Sequence, residues 1–328
     1  MKIDPSDLLQ LLTRRLAPWL RTLGLLFAVF LLSRSLIRGL PGDPVTTILE
    51  ETGITLSPEE LRAWLGLERP FFAGAVHDLQ QALFHGDFGR SLATREPVGP
   101  ILPGRILNSL VLGLSGIAIA LLISLPLGIA AGARVRTADL LCRRLGALLT
   151  AFPAAWTGPI LAWALGVHWL WLPPSGHLAL PALTLALGIS GFWMRLIRAR
   201  VRETLDGPGG MAATAARARG LPEGRIAIKY GFAPAVPDLA AYFGTQLGGL
   251  IAGSAVIEVL FDWPGIGALF VESVLKRDYP LVEACAFVTG AMALLGTRLG
   301  DSLQNRLDPR LARQDPSVAG PITNEGRK

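Results

Sequence analysis

Four stretches of the chain, 108–131, 145–172, 177–194 and 232–257, run for bilayer length almost without formal charge. The first three contain no Asp, Glu, Lys or Arg, and the fourth is interrupted only by Asp238. A bilayer core about 30 Å thick takes roughly 20 helical residues, and only segments that close their own backbone hydrogen bonds survive there. Each stretch therefore reads as a membrane helix. Weaker runs at 19–37 and 281–299, into which Arg34 and Glu283 intrude, bring the expected total to six. The fold class is all-α, a polytopic membrane protein. Prolines 126, 153, 159 and 237 lie inside the runs and are expected to be tolerated by packing against neighbouring helices. The first run is followed by Pro41-Gly42-Asp43-Pro44, not by a small-residue cleavage site, so it does not read as a signal peptide.

Composition agrees. Hydrophobic residues make up 51% of the 328 residues and charged residues only 17%, against about a quarter in soluble domains. The net charge of +6 could suggest nucleic acid, but the basic residues cluster at the ends of apolar runs instead. No nucleic-acid partner is expected.

Lys and Arg placement sets the orientation. The loop 195–231 holds eight basic residues against three acids, and 132–144 holds four arginines against Asp139. Segment 39–107 carries nine acids against five arginines. Positive charge favours the cytosolic side. Expected boundaries are a cytosolic N-terminus 1–18, a first membrane helix 19–38 and an extracytoplasmic helical segment 39–107. A five-helix core over 108–303, containing the loop 195–231, and a cytosolic tail 304–328 complete the chain. Both termini are expected inside, with 258–280 facing outward. Within 39–107, Ser57-Pro58-Glu59-Glu60 reads as a helix start, with Ser57 as cap. That helix should end near Gly66, and a second should cover 71–84.

An ordered series of short motifs runs nearly the whole length. Pro41-Gly42-Asp43-Pro44 comes first, then Leu65-Gly66-Leu67-Glu68-Arg69-Pro70 and Gly86-Asp87-Phe88-Gly89-Arg90-Ser91. Leu172-Pro173-Pro174-Ser175-Gly176 precedes Leu180-Pro181-Ala182-Leu183-Thr184. Ala215-Ala216-Arg217-Ala218-Arg219-Gly220-Leu221 is followed by Phe261-Asp262-Trp263-Pro264-Gly265-Ile266-Gly267. Arg277-Asp278-Tyr279-Pro280 and Leu307-Asp308-Pro309-Arg310 close the series. On these motifs the chain resembles the inner-membrane permease subunits of the dipeptide, oligopeptide and nickel class of ABC importers. The resemblance implies the type I permease fold, in a bacterial cytoplasmic (inner) membrane. It also implies a second homologous permease, two ATP-binding subunits and an extracytoplasmic substrate-binding protein. Di- or oligopeptides are the implied substrate, with nickel or a metal chelate as the alternative.

In that family a cytosolic coupling helix carries Glu-Ala-Ala, three residues, then Gly. Counting back from Gly220 puts Thr214, Ala215 and Ala216 at the first three positions, so the glutamate is absent here. The expected ATPase-docking residues are Thr214, Ala215, Ala216, Arg217, Arg219, Gly220 and Leu221. Small residues at 212, 213, 215, 216 and 218 would let the helix seat in a partner's groove, and Arg217 and Arg219 would meet its carboxylates. Gly220 stands where a left-handed helix end is wanted, and Pro222 stops continuation. No Gly-x-x-x-x-Gly-Lys-Ser/Thr loop occurs, so ATP and Mg belong to partner subunits; the chain itself is expected to be no enzyme and to hold no cofactor.

Competing classes are a stand-alone secondary transporter and an intramembrane serine protease. Gly113-Leu114-Ser115-Gly116 and Gly188-Ile189-Ser190-Gly191 match the Gly-x-Ser-Gly element of such proteases, but no histidine follows His177, and helix packing explains both more simply. His77, His85, His168 and His177 form no metal-ligand spacing, so no metal site is expected. Trp163, Trp169 and Trp171 read as outer-interface anchors, and Cys142 and Cys285 as unpaired, inert thiols. Arg34 and Arg38 are expected to snorkel outward, and Asp238 to reach the cytosolic interface. Trp263, Pro264, Gly265 and Gly267 form a turn that would return the chain toward the membrane, with 268–275 as a short outer helix. That element is the candidate outer gate, and Glu258 and Glu272 beside it read as solvated loop residues or as contacts for the gate or the binding protein.

Overall fold

In the computed structural model, residues 20–35, 45–46, 48–49, 57–65, 68–173 and 175–307 are described. The Pro41–Pro44 motif, Arg38, the N-terminal 1–18 and the tail beyond 307 lie outside them. The described chain is helical, with one isolated antiparallel bridge between Arg90 and Pro97.

The elements follow the expected order. Helix α1 covers residues 20–35. Before the first long apolar helix, α2 (Pro58–Trp64) starts with a full capping box between Ser57 and Glu60. The amide and hydroxyl of Ser57 hold the Glu60 carboxyl below its ordinary range. Helix α3 (Phe71–Gln80) runs into a π-turn to His85 and ends at the left-handed Gly86. Then come α4 (Leu102–Gly132), α5 (Arg136–Ala151), α6 (Ala154–Leu161) and α7 (Ala179–Asp206). They are followed by α8 (Pro208–Ala218), α9 (Glu223–Ile226) and α10 (Val236–Gly253). The last are α11 (Ala255–Leu260), α12 (Ile266–Leu275) and α13 (Tyr279–Leu307).

Among the described residues three helices, α4 with its preceding turn, α7 and α13, are long and apolar enough to cross a bilayer singly. The stretch 145–172 is not one straight helix. It is broken after α5 by 101°, and α5 meets the length and apolarity of a membrane crossing only together with the helical run Ala155–His168. The break is local chemistry: proline disfavours helical backbone at the residue before it, and Phe152 is extended (φ −91, ψ 115). Prolines 126 and 159 sit inside α4 and α6 without such a break. The 232–257 stretch likewise ends α10 at Gly253 and resumes after Ser254 as α11.

Contacts between helices give their relative directions. Cβ atoms added at Gly116, Gly128 and Gly132 of α4 would meet Leu185, Ile197 and Val201 of α7, so these two run parallel. Residues 139 and 150 of α5 meet Arg198 and Arg195 respectively, making α5 antiparallel to α7. Gly244 faces Gly300, and Gly248 faces Ala293 and Gly296, so α10 opposes α13. Thr22 bonds Arg298 and Val29 meets Gly290, so α1 also opposes α13. Among the described residues, α1, α4, α5, α7, α10 and α13 therefore alternate in direction, and the start of α1 and the end of α13 lie on the same side as α8. Small residues at each crossing let backbones approach closely, the usual packing device in lipid. Both Gly-x-Ser-Gly elements belong to it: Gly116 and Gly191 are crossing points, and the Ser190 hydroxyl donates to its own helix at Leu187 O, 3.2 Å.

Arg34 does not snorkel. It is buried, ion-paired with Asp78 of α3, and its Nη1 lies 4.0 Å from Glu283 of α13. Helix α3 thus supplies the countercharge that lipid cannot. Asp278 makes a second tie, accepting from the Ser91 hydroxyl and from the Leu92 amide at 3.1 Å.

Candidate functional site

At one end of the bundle, α7 passes into α8 through Gly207-Pro208-Gly209-Gly210. Cβ atoms at 209 and 210 would lie 2.7 Å from Tyr230 O and 2.6 Å from Leu205 O respectively. Only glycine lets α8 fold back this tightly. The helix ends as its sequence requires. Gly220 is left-handed (φ 77), its amide donates to Arg217 O at 2.8 Å, and the Leu221 amide donates to Ala216 O at 3.1 Å. This pair of bonds satisfies the last carbonyls of the helix, and Pro222 then starts α9.

Two of the small residues turn inward. Ala213 and Ala216, three apart, are buried against Ile226, with Leu205, Leu221 and Tyr230 around them. Burying Ile226 alone contributes about 2 kcal/mol. Ala216 therefore braces the helix and does not present its side chain to a partner. Arg217 is also engaged within the chain, donating to both carboxylate oxygens of Glu223 at 2.7 and 3.1 Å. Its guanidinium holds the Glu223 carboxyl below the usual range. The outward face carries Met211, Ala212, Thr214, Ala215, Arg219 and Gly220, with Met211 83% exposed.

Charged contacts connect this turn to the bundle. Asp206 pairs with Arg134 at 2.6 Å, and Asp139 accepts from Arg198, Arg143 and Arg202. Asp238, at the start of α10, is exposed and lies 3.7 Å from Arg200.

The opposite end carries the other candidate element. The Trp263 indole donates to Asn108 O at 3.0 Å, and the Asn108 amide donates to Pro264 O at 2.9 Å. Glu258 is not a solvated loop residue but fully buried, and it accepts from Ser109, Ser254 and the Ala268 amide. Residues 266–275 form α12, whose Ile266 and Leu269 pack on Leu281, Ala284 and Val288 of α13. Glu272 is exposed and paired with Lys276 at 2.6 Å. Nearby, Trp163 stacks on His168 and Trp169 on Trp171, all three tryptophans being exposed. Among the described residues no group of His, Cys, Asp or Glu is arranged to hold a metal ion. Cys142 and Cys285 are free and buried.

Sequence reasoning missed Glu258, Ser109 and Asn108 as one cluster, Asp278 with Ser91, and the Gly209-Gly210 hinge. The inward face of α8 did leave a signal, the three-residue spacing of Ala213 and Ala216.

Residues 124–313 match the model of the binding-protein-dependent transport system inner membrane component. The chain belongs to that family. A glutathione transport system permease protein (GsiC) of Escherichia coli K12 is 32% identical over 300 residues, covering 89% of this chain and 97% of the relative. An oligopeptide transport system permease protein (AppB) of Bacillus subtilis is 29% identical over 309 residues, covering 89% and 96%. The protein is thus an inner-membrane permease subunit of a binding-protein-dependent ABC importer.

Proposed function

We propose that this permease imports peptides as one half of a two-permease channel. Separate ATP-binding subunits drive it through the turn 211–221, and an extracytoplasmic binding protein delivers substrate to the end carrying α12. ATP and Mg act in those partner subunits. The observation that carries this reading is α8 itself: a short helix held by its own buried alanines, closed at Gly220, with small side chains and one aliphatic knob turned outward. Such a rigid post passes a push straight into α7, to which Gly207 joins it, and into α9 and α10 beyond Pro222. The peptide assignment is supported by the two relatives, whose names specify glutathione and oligopeptides, both short amide-linked chains. Thr214, Ala215, Arg219 and Gly220 form the docking surface, with Leu221 packed behind them, and both termini are cytosolic, in keeping with the positive-inside distribution. Trp263, Pro264, Gly265 and Gly267 belong to the outer gate.

The test is reconstitution with the partner subunits. Uptake of a labelled di- or tripeptide into proteoliposomes should require ATP, the partner subunits and loaded binding protein together. Uptake by this chain alone would point to a stand-alone transporter and end the proposal. Uptake of nickel but not peptide would overturn the substrate assignment only.

A further inference from the structure

We propose that Glu258 is a positioning residue that caps α12 from outside the helix, so that α12, the turn before it and the start of α4 move as one body. A helix start leaves several amides without partners inside the helix, and a side chain at the capping position normally takes one or two. The capping position of α12 is Gly265, which has no side chain. Its amides are satisfied from elsewhere in the chain. The Ile266 amide donates to the Ser109 hydroxyl at 2.8 Å, and the Ala268 amide donates to Glu258 Oε2 at 2.8 Å. Ser109 in turn donates to Glu258 Oε1 at 2.7 Å, and Ser254 donates to the same oxygen at 2.7 Å. Glu258, Ser109, Ser254 and Ile266 are all buried.

The glycines explain why the cap must come from a distance. A Cβ at 265 would collide with Glu258 Oε2 and Ser109 Oγ, and one at 267 would lie 2.6 Å from Ala255 Cα. The glycine spacing is the space that the carboxyl group occupies. Together with the paired Asn108 and Trp263 contacts, these bonds fix the turn to the first turns of α4 on one side and to α11 on the other. Swinging α12 away from α4 would strand a buried carboxyl group and two backbone amides without partners, which is costly. Opening of the outer face therefore carries α12 along with α4.

The inference rests on the outer placement of α12 proposed above, and labelling from outside checks that placement separately. Both native cysteines are buried, so introduced thiols report on their own positions. The transporter is purified with its partner subunits and reconstituted, and Ala268→Cys is labelled with an impermeant thiol reagent in the nucleotide-free state. Added Glu258→Gln should raise the labelling rate about tenfold, the effect of one buried hydrogen bond left unmade. Whichever way the Gln amide turns, its NH2 faces a group that now donates to the carboxyl. Ser109→Ala should do the same, Ser109→Thr should not, and Ser109→Ala with Glu258→Gln should exceed neither single change, because both break one network. Unchanged labelling in Glu258→Gln would overturn the capping role.

A second arm holds even if Glu258→Gln fails to insert. A short reducible cross-link between Asn108→Cys and Pro264→Cys joins α4 to the turn. Peptide uptake with the link closed should match that of the same variant with the link reduced. Loss of uptake that a reductant restores would show that α12 swings against α4, and would refute the single-body motion. Labelling of Ala268→Cys from the cytosolic side alone would refute the outer placement instead, leaving the cap itself to the Glu258 and Ser109 variants.

Discussion

Replacing Gly220 separates backbone strain from docking. The residue has φ 77, and a Cβ there would meet nothing within 4 Å inside this chain. The only internal cost is the left-handed backbone, about 1–2 kcal/mol for an ordinary L-residue and less for Asn and Asp. A cost near 1 kcal/mol changes the closed-to-open ratio of the turn by a factor of about 5. Strain alone therefore ranks Asn and Asp as mildest, Ala next and Val worst. The proposed docking ranks them differently, because any side chain at 220 stands on the exposed face proposed to meet the ATP-binding subunit. We expect Gly220→Asp to insert and melt like the parent, yet to hydrolyse ATP without matching peptide uptake. The assay is the ratio of peptide uptake to ATP hydrolysis in proteoliposomes, with thermal unfolding as the fold control. If Gly220→Asp and Gly220→Asn both keep the parental ratio while Gly220→Val loses it, strain accounts for the data and the docking role of residue 220 is wrong.

Other expectations concern the scaffold. Gly128→Leu would force a Cβ to within 2.8 Å of Ile197 Cβ at the α4–α7 crossing; overpacking of about 1–3 kcal/mol should lower the melting temperature in detergent, and an unchanged melt would refute the crossing. Asp278→Ala leaves the Leu92 amide without its acceptor. That costs about 1–3 kcal/mol and should expose the outer segment to limited proteolysis; an unaltered digestion pattern would count against the tie. Ser57→Ala removes the α2 cap at about 1 kcal/mol, read as faster amide exchange over residues 58–64. Because the folded Glu60 carboxyl is held below its ordinary range, its support for α2 is present above the unfolded pKa and fades as pH falls through the folded one. Acid should therefore lower the protection factors over 58–64 in the parent, rates being taken against the intrinsic exchange rate at each pH, and Glu60→Gln, which removes the titrating group, should flatten that pH dependence.

The spans were legible because bilayer length is a hard constraint and the apolar runs meet it. The capping box at Ser57 and the left-handed Gly220 were legible too, since both are settled within a few residues. Proline was not. Prolines 126, 153 and 159 all lie in apolar runs, yet only Pro153 marks a break, because its neighbour Phe152 leaves the helix where the chain turns across α7. Charge was read too locally. Arg34 looked like a snorkelling side chain because its countercharge, Asp78, stands 44 positions away. Glu258 looked solvated because Ser109 lies 149 positions away. Motif order placed these residues along the chain, while their meeting depends on how the passes pack.

The central claim is that the outward face of α8 receives a separate ATP-binding subunit. The most direct measurement is thiol cross-linking from Met211→Cys, at an 83% exposed side chain of that face, in membranes containing the whole transporter. The account predicts a cross-link to the ATP-binding subunit that depends on nucleotide state. A cross-link to the extracytoplasmic binding protein, or labelling of Met211→Cys from outside sealed cells, would contradict it.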